Sequence, residues 1–175
     1  MPVLTANSRR DRDLEVHQYP LLVYALVPLT ALVLQAWLPR VVGSYVWFDL
    51  PLLVVVYFAL GRRNPIHGMF LGAALGIFQD ALTHHAIGVN GIAQTVAGFL
   101  AASMGVRIDV ENHLIRVILS FLLTLLCSGI YLFISHVMLG MELDWSWLTE
   151  LFKAVGDALI AFIAFPLLDR AQIRD

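Results

Sequence analysis

The hydrophobic positions of this chain fall into six continuous runs, Tyr19–Leu38, Tyr45–Gly61, Ile66–Leu82, Gly91–Val106, Leu114–Leu139 and Leu148–Leu168, separated by short polar stretches. The first, fifth and sixth reach the roughly 20 residues with which a helix crosses a bilayer. The other three are shorter, which predicts helices that tilt little, begin within the interface or are shielded by neighbours. Proline supports the boundaries: Pro39 is expected after the first helix, Pro51 in the first turn of the second and Pro65 just before the third, all places a helix tolerates it. Pro28, mid-run, predicts a kink.

Composition excludes whole classes of protein. Of 175 residues, 59% are hydrophobic and 14% charged, against roughly 45–50% and 25% in a soluble domain. The 11 Lys+Arg and 13 Asp+Glu leave a net charge of -2, and they sit in short stretches between apolar runs, so nucleic-acid binding is excluded. A single cysteine, Cys127, inside an apolar run, supplies neither a disulfide framework nor a thiol metal cluster. Residues 5–18 are polar and lack the short apolar run and cleavage site of a secretory signal, so the first run is expected to be an integral span. The predicted fold is an all-α, six-transmembrane-helix bundle: a flexible cytoplasmic tail over 1–18, a membrane domain over 19–169 and a short cytoplasmic tail over 170–175.

Orientation follows from Lys and Arg, which concentrate in short cytoplasmic loops. With the N-terminus inside, Arg9, Arg10, Arg12, Arg62, Arg63, Arg107, Arg116, Arg170 and Arg174 are cytoplasmic, and Arg40 and Lys153 lie on the far side. The same arrangement puts Trp37, Trp47, Trp145 and Trp147 at the outer interface, where amphipathic rings anchor helices.

The candidate chemistry centres on the third run, where Gly68, Gly72, Gly76 and Asp80 recur every fourth residue. Four residues advance a helix by only about 40°, so they form one narrow stripe. Small residues at this spacing let backbones approach closely in lipid, either within the bundle or against another protein's span. Asp80 ends the stripe and is expected to accept hydrogen bonds from the turn that follows, which holds Gly88, Asn90 and Gly91, or from Asn90 itself. Asp157 lies deep in the sixth run and needs a partner. Lys153, one turn away, offers an ion pair, a helix-to-helix hydrogen bond is the next candidate, and a functional polar site stays open. His84-His85 diverge and do not make a metal pair, His67, His113 and His136 read as interfacial, and Asp49 suits the N-terminus of the second helix. No catalytic, phosphate-binding or zinc signature is present, and no cofactor is expected.

Gly72-Ala-Ala-Leu-Gly76-Ile-Phe-Gln-Asp80, followed by Gly88-Val89-Asn90, resembles the G-x-x-x-G-x-x-x-D and G-x-N core of the MreD family of rod shape-determining proteins, as do the length and the six-span layout. The resemblance spans roughly residues 20–170 and points to Gly72, Gly76, Asp80, Gly88 and Asn90. It implies a non-enzymatic inner-membrane component of the cell-elongation complex, accompanying the single-span MreC and, through it, MreB and the peptidoglycan synthases. It also implies a fold similar to the substrate-binding subunits of energy-coupling-factor vitamin transporters. Six spans and a similar size make a substrate-binding subunit of an energy-coupling transporter the alternative function, with Asp80, Asn90 and Asp157 as candidate ligand contacts. An intramembrane hydrolase would need two adjoining carboxylates, which the sequence does not place.

Overall fold

A computed structural model describes residues 21–42, 48–83, 86–108, 112–141 and 146–170. The expected N-terminal tail, Tyr45, Trp47, His84, His85, Trp145 and Arg174 lie outside the described residues. Those described form six helices and no strand: α1 (Leu21–Val42), α2 (Leu50–Arg62), α3 (Pro65–Thr83), α4 (Val89–Arg107), α5 (His113–Phe133), a π-helical turn (Ile134–Met138) and α6 (Trp147–Asp169). Four stretches are long and apolar enough to cross a membrane: Leu22–Arg40, Val89–Arg107, His113–Met138 and Trp147–Asp169. The α3 helix is 19 residues long but carries His67, Gln79 and Asp80.

Two boundaries differ from expectation for local reasons. The first helix continues through both Pro28 and Pro39. The second begins at Leu50, not Tyr45, because Asp49 caps it: the Asp49 carboxylate accepts from the Leu52 N–H at 3.2 Å, and Pro51 occupies the first turn, where its missing N–H costs nothing. With 13 residues, α2 is about 20 Å long, well short of a hydrocarbon core of about 30 Å. Between its two ends it is enclosed by the other helices. Pro51 through Gly61 are buried without interruption, as expected of a helix that is apolar on every side. The α2 helix is the axis of the bundle, touching all five others.

The other helices pack around it. The fourth turns Ala93, Ala97 and Ala101 inward, and Gly105 lies so close to α2 that a Cβ there would sit 2.7 Å from the Leu60 carbonyl oxygen. The α3–α4 and α5–α6 pairs are the most extensive contacts, and α1 lies against α2 and α3. Leu22, Leu29, Phe70, Phe78, Leu159 and Ile163 point outward, as lipid-facing side chains would. Successive helices run in opposite directions, so the chain has a tryptophan end, with Trp37 and Trp147, and an arginine end, with Arg62, Arg63, Arg107, Arg116 and Arg170.

The π turn was not foreseen. It closes with the Leu139 N–H on the Ile134 carbonyl at 3.1 Å and the Met141 N–H on the Ser135 carbonyl at 3.0 Å, and Gly140, at φ 62°, makes the left-handed exit that glycine tolerates.

Candidate functional site

The glycine stripe of α3 is filled by α4. A Cβ added to Gly68 would overlap the Gly98 carbonyl, one on Gly72 the Gln94 carbonyl, and one on Gly76 the Asn90 carbonyl. Gly98 meets Gly68 in the same way from the other side. The two backbones are therefore in direct contact along three turns, the close approach that small residues permit. Of the two uses expected for the stripe, internal packing occupies it, and no groove remains there for a partner's helix.

Asp80 completes this seam. Fully buried, it accepts the Gly88 N–H at 2.7 Å and the Asn90 N–H at 3.1 Å on Oδ2, and the Asn90 side-chain amide at 2.7 Å on Oδ1. Gly88 stands at the N-cap of α4 with φ 99° and no side chain to cap it. The first N–H groups of a helix lack intrahelical partners and attract negative charge. Asp80 supplies from α3 the capping carboxylate that α4 does not carry. The spacing of Asp80, Gly88 and Asn90 thus has a physical basis: one acceptor, one left-handed turn residue and one amide that reaches back.

Toward the tryptophan end, every helix contributes to a second buried polar cluster. Asp157 of α6 accepts the Asp49 backbone N–H at 2.7 Å on Oδ1 and the Thr124 hydroxyl of α5 at 2.9 Å on Oδ2. Asp49 Oδ1 accepts the Gln79 amide of α3 at 3.1 Å, and Gln79 Oε1 accepts the Gln94 amide of α4. Gln35 of α1 brackets the start of α2, donating to the Phe48 carbonyl and accepting from the Leu50 N–H, both at 3.1 Å. The expected Lys153–Asp157 ion pair does not form: the one salt bridge among the described residues is elsewhere. Half-buried Lys153 stays within electrostatic reach of Asp49, Asp157 and Glu150 without contact. The helix-to-helix hydrogen bond takes its place because the Asp157 oxygens face α2 and α5.

That salt bridge, at the arginine end, joins Arg116 and Asp169 in a two-pronged contact of 3.0 and 2.5 Å, with the Tyr57 hydroxyl donating to Asp169 at 2.9 Å. It ties α2, α5 and α6 together. His67, expected as an interfacial side chain, bonds the Tyr24 hydroxyl at 2.8 Å and joins α1 to α3. Sequence reasoning missed Gln35, Gln79, Gln94 and Thr124. The signal available in the sequence is a polar side chain within an apolar run. No group of three or more His, Cys, Asp or Glu among the described residues could hold a metal ion.

Apolar helices wrapped about a buried central one, and carboxylates bonded to the chain's own amides and hydroxyl, define a helical membrane protein held together by its own polar contacts. The sequence model of rod shape-determining protein MreD matches residues 16–168, nearly the whole chain. The chain belongs to the MreD family, membrane-embedded proteins of the machinery that determines rod shape. No curated protein and no solved structure matches it, so the similarity to vitamin-transporter subunits has no structural counterpart here.

Proposed function

We propose that the chain is a non-enzymatic scaffold of the bacterial cell-elongation complex, which binds the single-span MreC and through it helps position MreB and peptidoglycan synthesis. The observation that carries this reading is the family match over residues 16–168. It is supported by the use made of the buried acids. Asp49, Asp80 and Asp157 hold helices together through hydrogen bonds to Leu52, Gln79, Gly88, Asn90, Asp49 and Thr124, an architectural task that leaves them poorly placed to shuttle protons. With the seam occupied by α4, the partner's helix meets another face of the bundle. Co-expression with the MreC-type protein of the same genome tests the proposal: stoichiometric co-purification in mild detergent is expected. Failure of the wild-type chain to capture it would overturn the scaffold reading.

The proposal includes location in the inner membrane, multiple crossings and both termini in the cytoplasm. Its support is the gathering of Arg62, Arg63, Arg107, Arg116 and Arg170 at one end, against Arg40 and Lys153 toward the other. A C-terminal fluorescent-protein fusion is expected to fluoresce and a C-terminal alkaline phosphatase fusion to stay inactive. The opposite pattern would invert the orientation.

A further inference from the structure

Between the C-terminal part of α5, with its π turn, and the first turn of α6 lies a partly enclosed cavity of about 750 Å³, within the range of small-molecule sites. Its lining is mostly apolar and includes Leu132, Trp147 and Gly129, with Ser128, His136 and Glu150 as the polar members. Two of the lining residues carry a polar atom without a partner: Ser128 Oγ and Glu150 Oε2 are both buried and make no hydrogen bond. Ser128 is 4% exposed. Buried polar atoms left unpaired are costly and uncommon, and here both belong to residues that line the same space. Lys153, one turn further along α6, makes no ion pair with Glu150, so among the described residues the Glu150 carboxylate has no cation in contact with it.

We propose that this cavity binds a phospholipid with a primary ammonium head, of the phosphatidylethanolamine type. An acyl chain lies against the apolar wall while the ammonium donates to the Glu150 carboxylate and, as the Ser128 side chain turns toward it, to the Ser128 hydroxyl. A primary ammonium carries three donors and no acceptor, which complements an unpaired carboxylate and an unpartnered hydroxyl. A choline head cannot donate, and an anionic glycerol head meets the Glu150 carboxylate unfavourably. Trp147, a lining residue that is 77% exposed, suits the depth at which headgroups lie. The site is independent of the scaffold reading, since it is a property of the chain alone.

The test uses the purified full chain equilibrated with phosphatidylethanolamine, phosphatidylcholine and phosphatidylglycerol of identical acyl chains, with retained lipid counted by native mass spectrometry. Retention of the ethanolamine lipid about tenfold above the other two is expected, the scale of one charge-assisted hydrogen bond. Glu150→Gln should bring the three lipids near parity. Gly129→Leu should exclude all three, because a side chain there grows into space with no atom within 4 Å of its Cβ. Should Glu150→Gln fail to fold, Ser128→Ala, which removes the hydroxyl alone, is expected to reduce the same preference. Equal retention by the wild type, as water filling the cavity would give, overturns the proposal. So does a preference that survives both Glu150→Gln and Gly129→Leu. Release of a co-expressed single-span partner by Gly129→Leu, with no ethanolamine lipid held by the wild type, would assign the cavity to a protein helix and overturn it too.

Discussion

Gly72→Ala is expected to destabilise the folded chain by about 3 kcal/mol, the upper part of the range for overpacking. The new methyl meets the Gln94 carbonyl, which is backbone and cannot swing aside. Relief requires α3 and α4 to separate along their length, loosening the Gly68–Gly98 contact and the Asp80 hydrogen bonds at the same time. Ala74→Leu, on the exposed side of the same helix, should change stability by less than about 0.5 kcal/mol. Thermal unfolding in detergent, followed by loss of the monodisperse peak, compares the two. If Gly72→Ala unfolds with the wild type, the seam is not what sets the distance between these helices. A bulkier Gly72→Leu would lose partner capture through misassembly, so capture by that variant reports on folding rather than on an interface.

Asp157→Ala is the second large effect. It leaves the Asp49 N–H and the Thr124 hydroxyl buried without an acceptor, and the expected loss is about 3 kcal/mol, near the lower end for breaking a buried charged contact. Asp157→Asn keeps one carbonyl oxygen for the Asp49 N–H, and its amide can donate to the Thr124 oxygen, so its loss should stay near 1 kcal/mol. The two variants separate an architectural carboxylate from a functional one. If Asp157→Asn is stable yet fails to restore rod shape in cells lacking the native protein, the negative charge has a task beyond packing. Restoration by Asp157→Asn and loss by Asp157→Ala, in proportion to stability, leaves the packing role sufficient.

Much of this arrangement was legible in the sequence, and what was not has a common cause. Helix number and the Asp80–Gly88–Asn90 turn follow from local signals: apolar runs, four-residue spacing, and a left-handed residue where the chain reverses. Asp49 as a cap is local as well, set by its place two residues before Pro51. Partners across helices are not encoded locally. Nothing near Asp157 in the sequence announces an N–H 108 residues away, whereas Lys153 is one turn away and offers the local partner. The seam was ambiguous for the same reason: Gly68, Gly72 and Gly76 define a surface that admits a backbone, but not whose. The answering pattern was in α4, where Gly91 and Gly98 flank Gln94, and it becomes visible once the two helices are laid together. The apolar run over 45–61 is longer than α2 because hydrophobicity does not mark where a helix starts, and the Asp49 cap does.

The contact between α3 and α4 also bears on how the chain enters the membrane during synthesis. On leaving the insertion channel α3 carries Gln79 and Asp80 with none of their α4 or turn partners yet made, and its glycine face is bare; α4 arrives with an uncapped N-terminus and Gln94 exposed. Neither is a good solute in lipid by itself. As a hairpin they neutralise each other's defects, so entry as a pair, once Arg107 has emerged, is the expected order. A mutation in the seam would then be felt first by the insertion and quality-control machinery, as lower abundance of the protein, before any assembled complex existed to show a defect in shape.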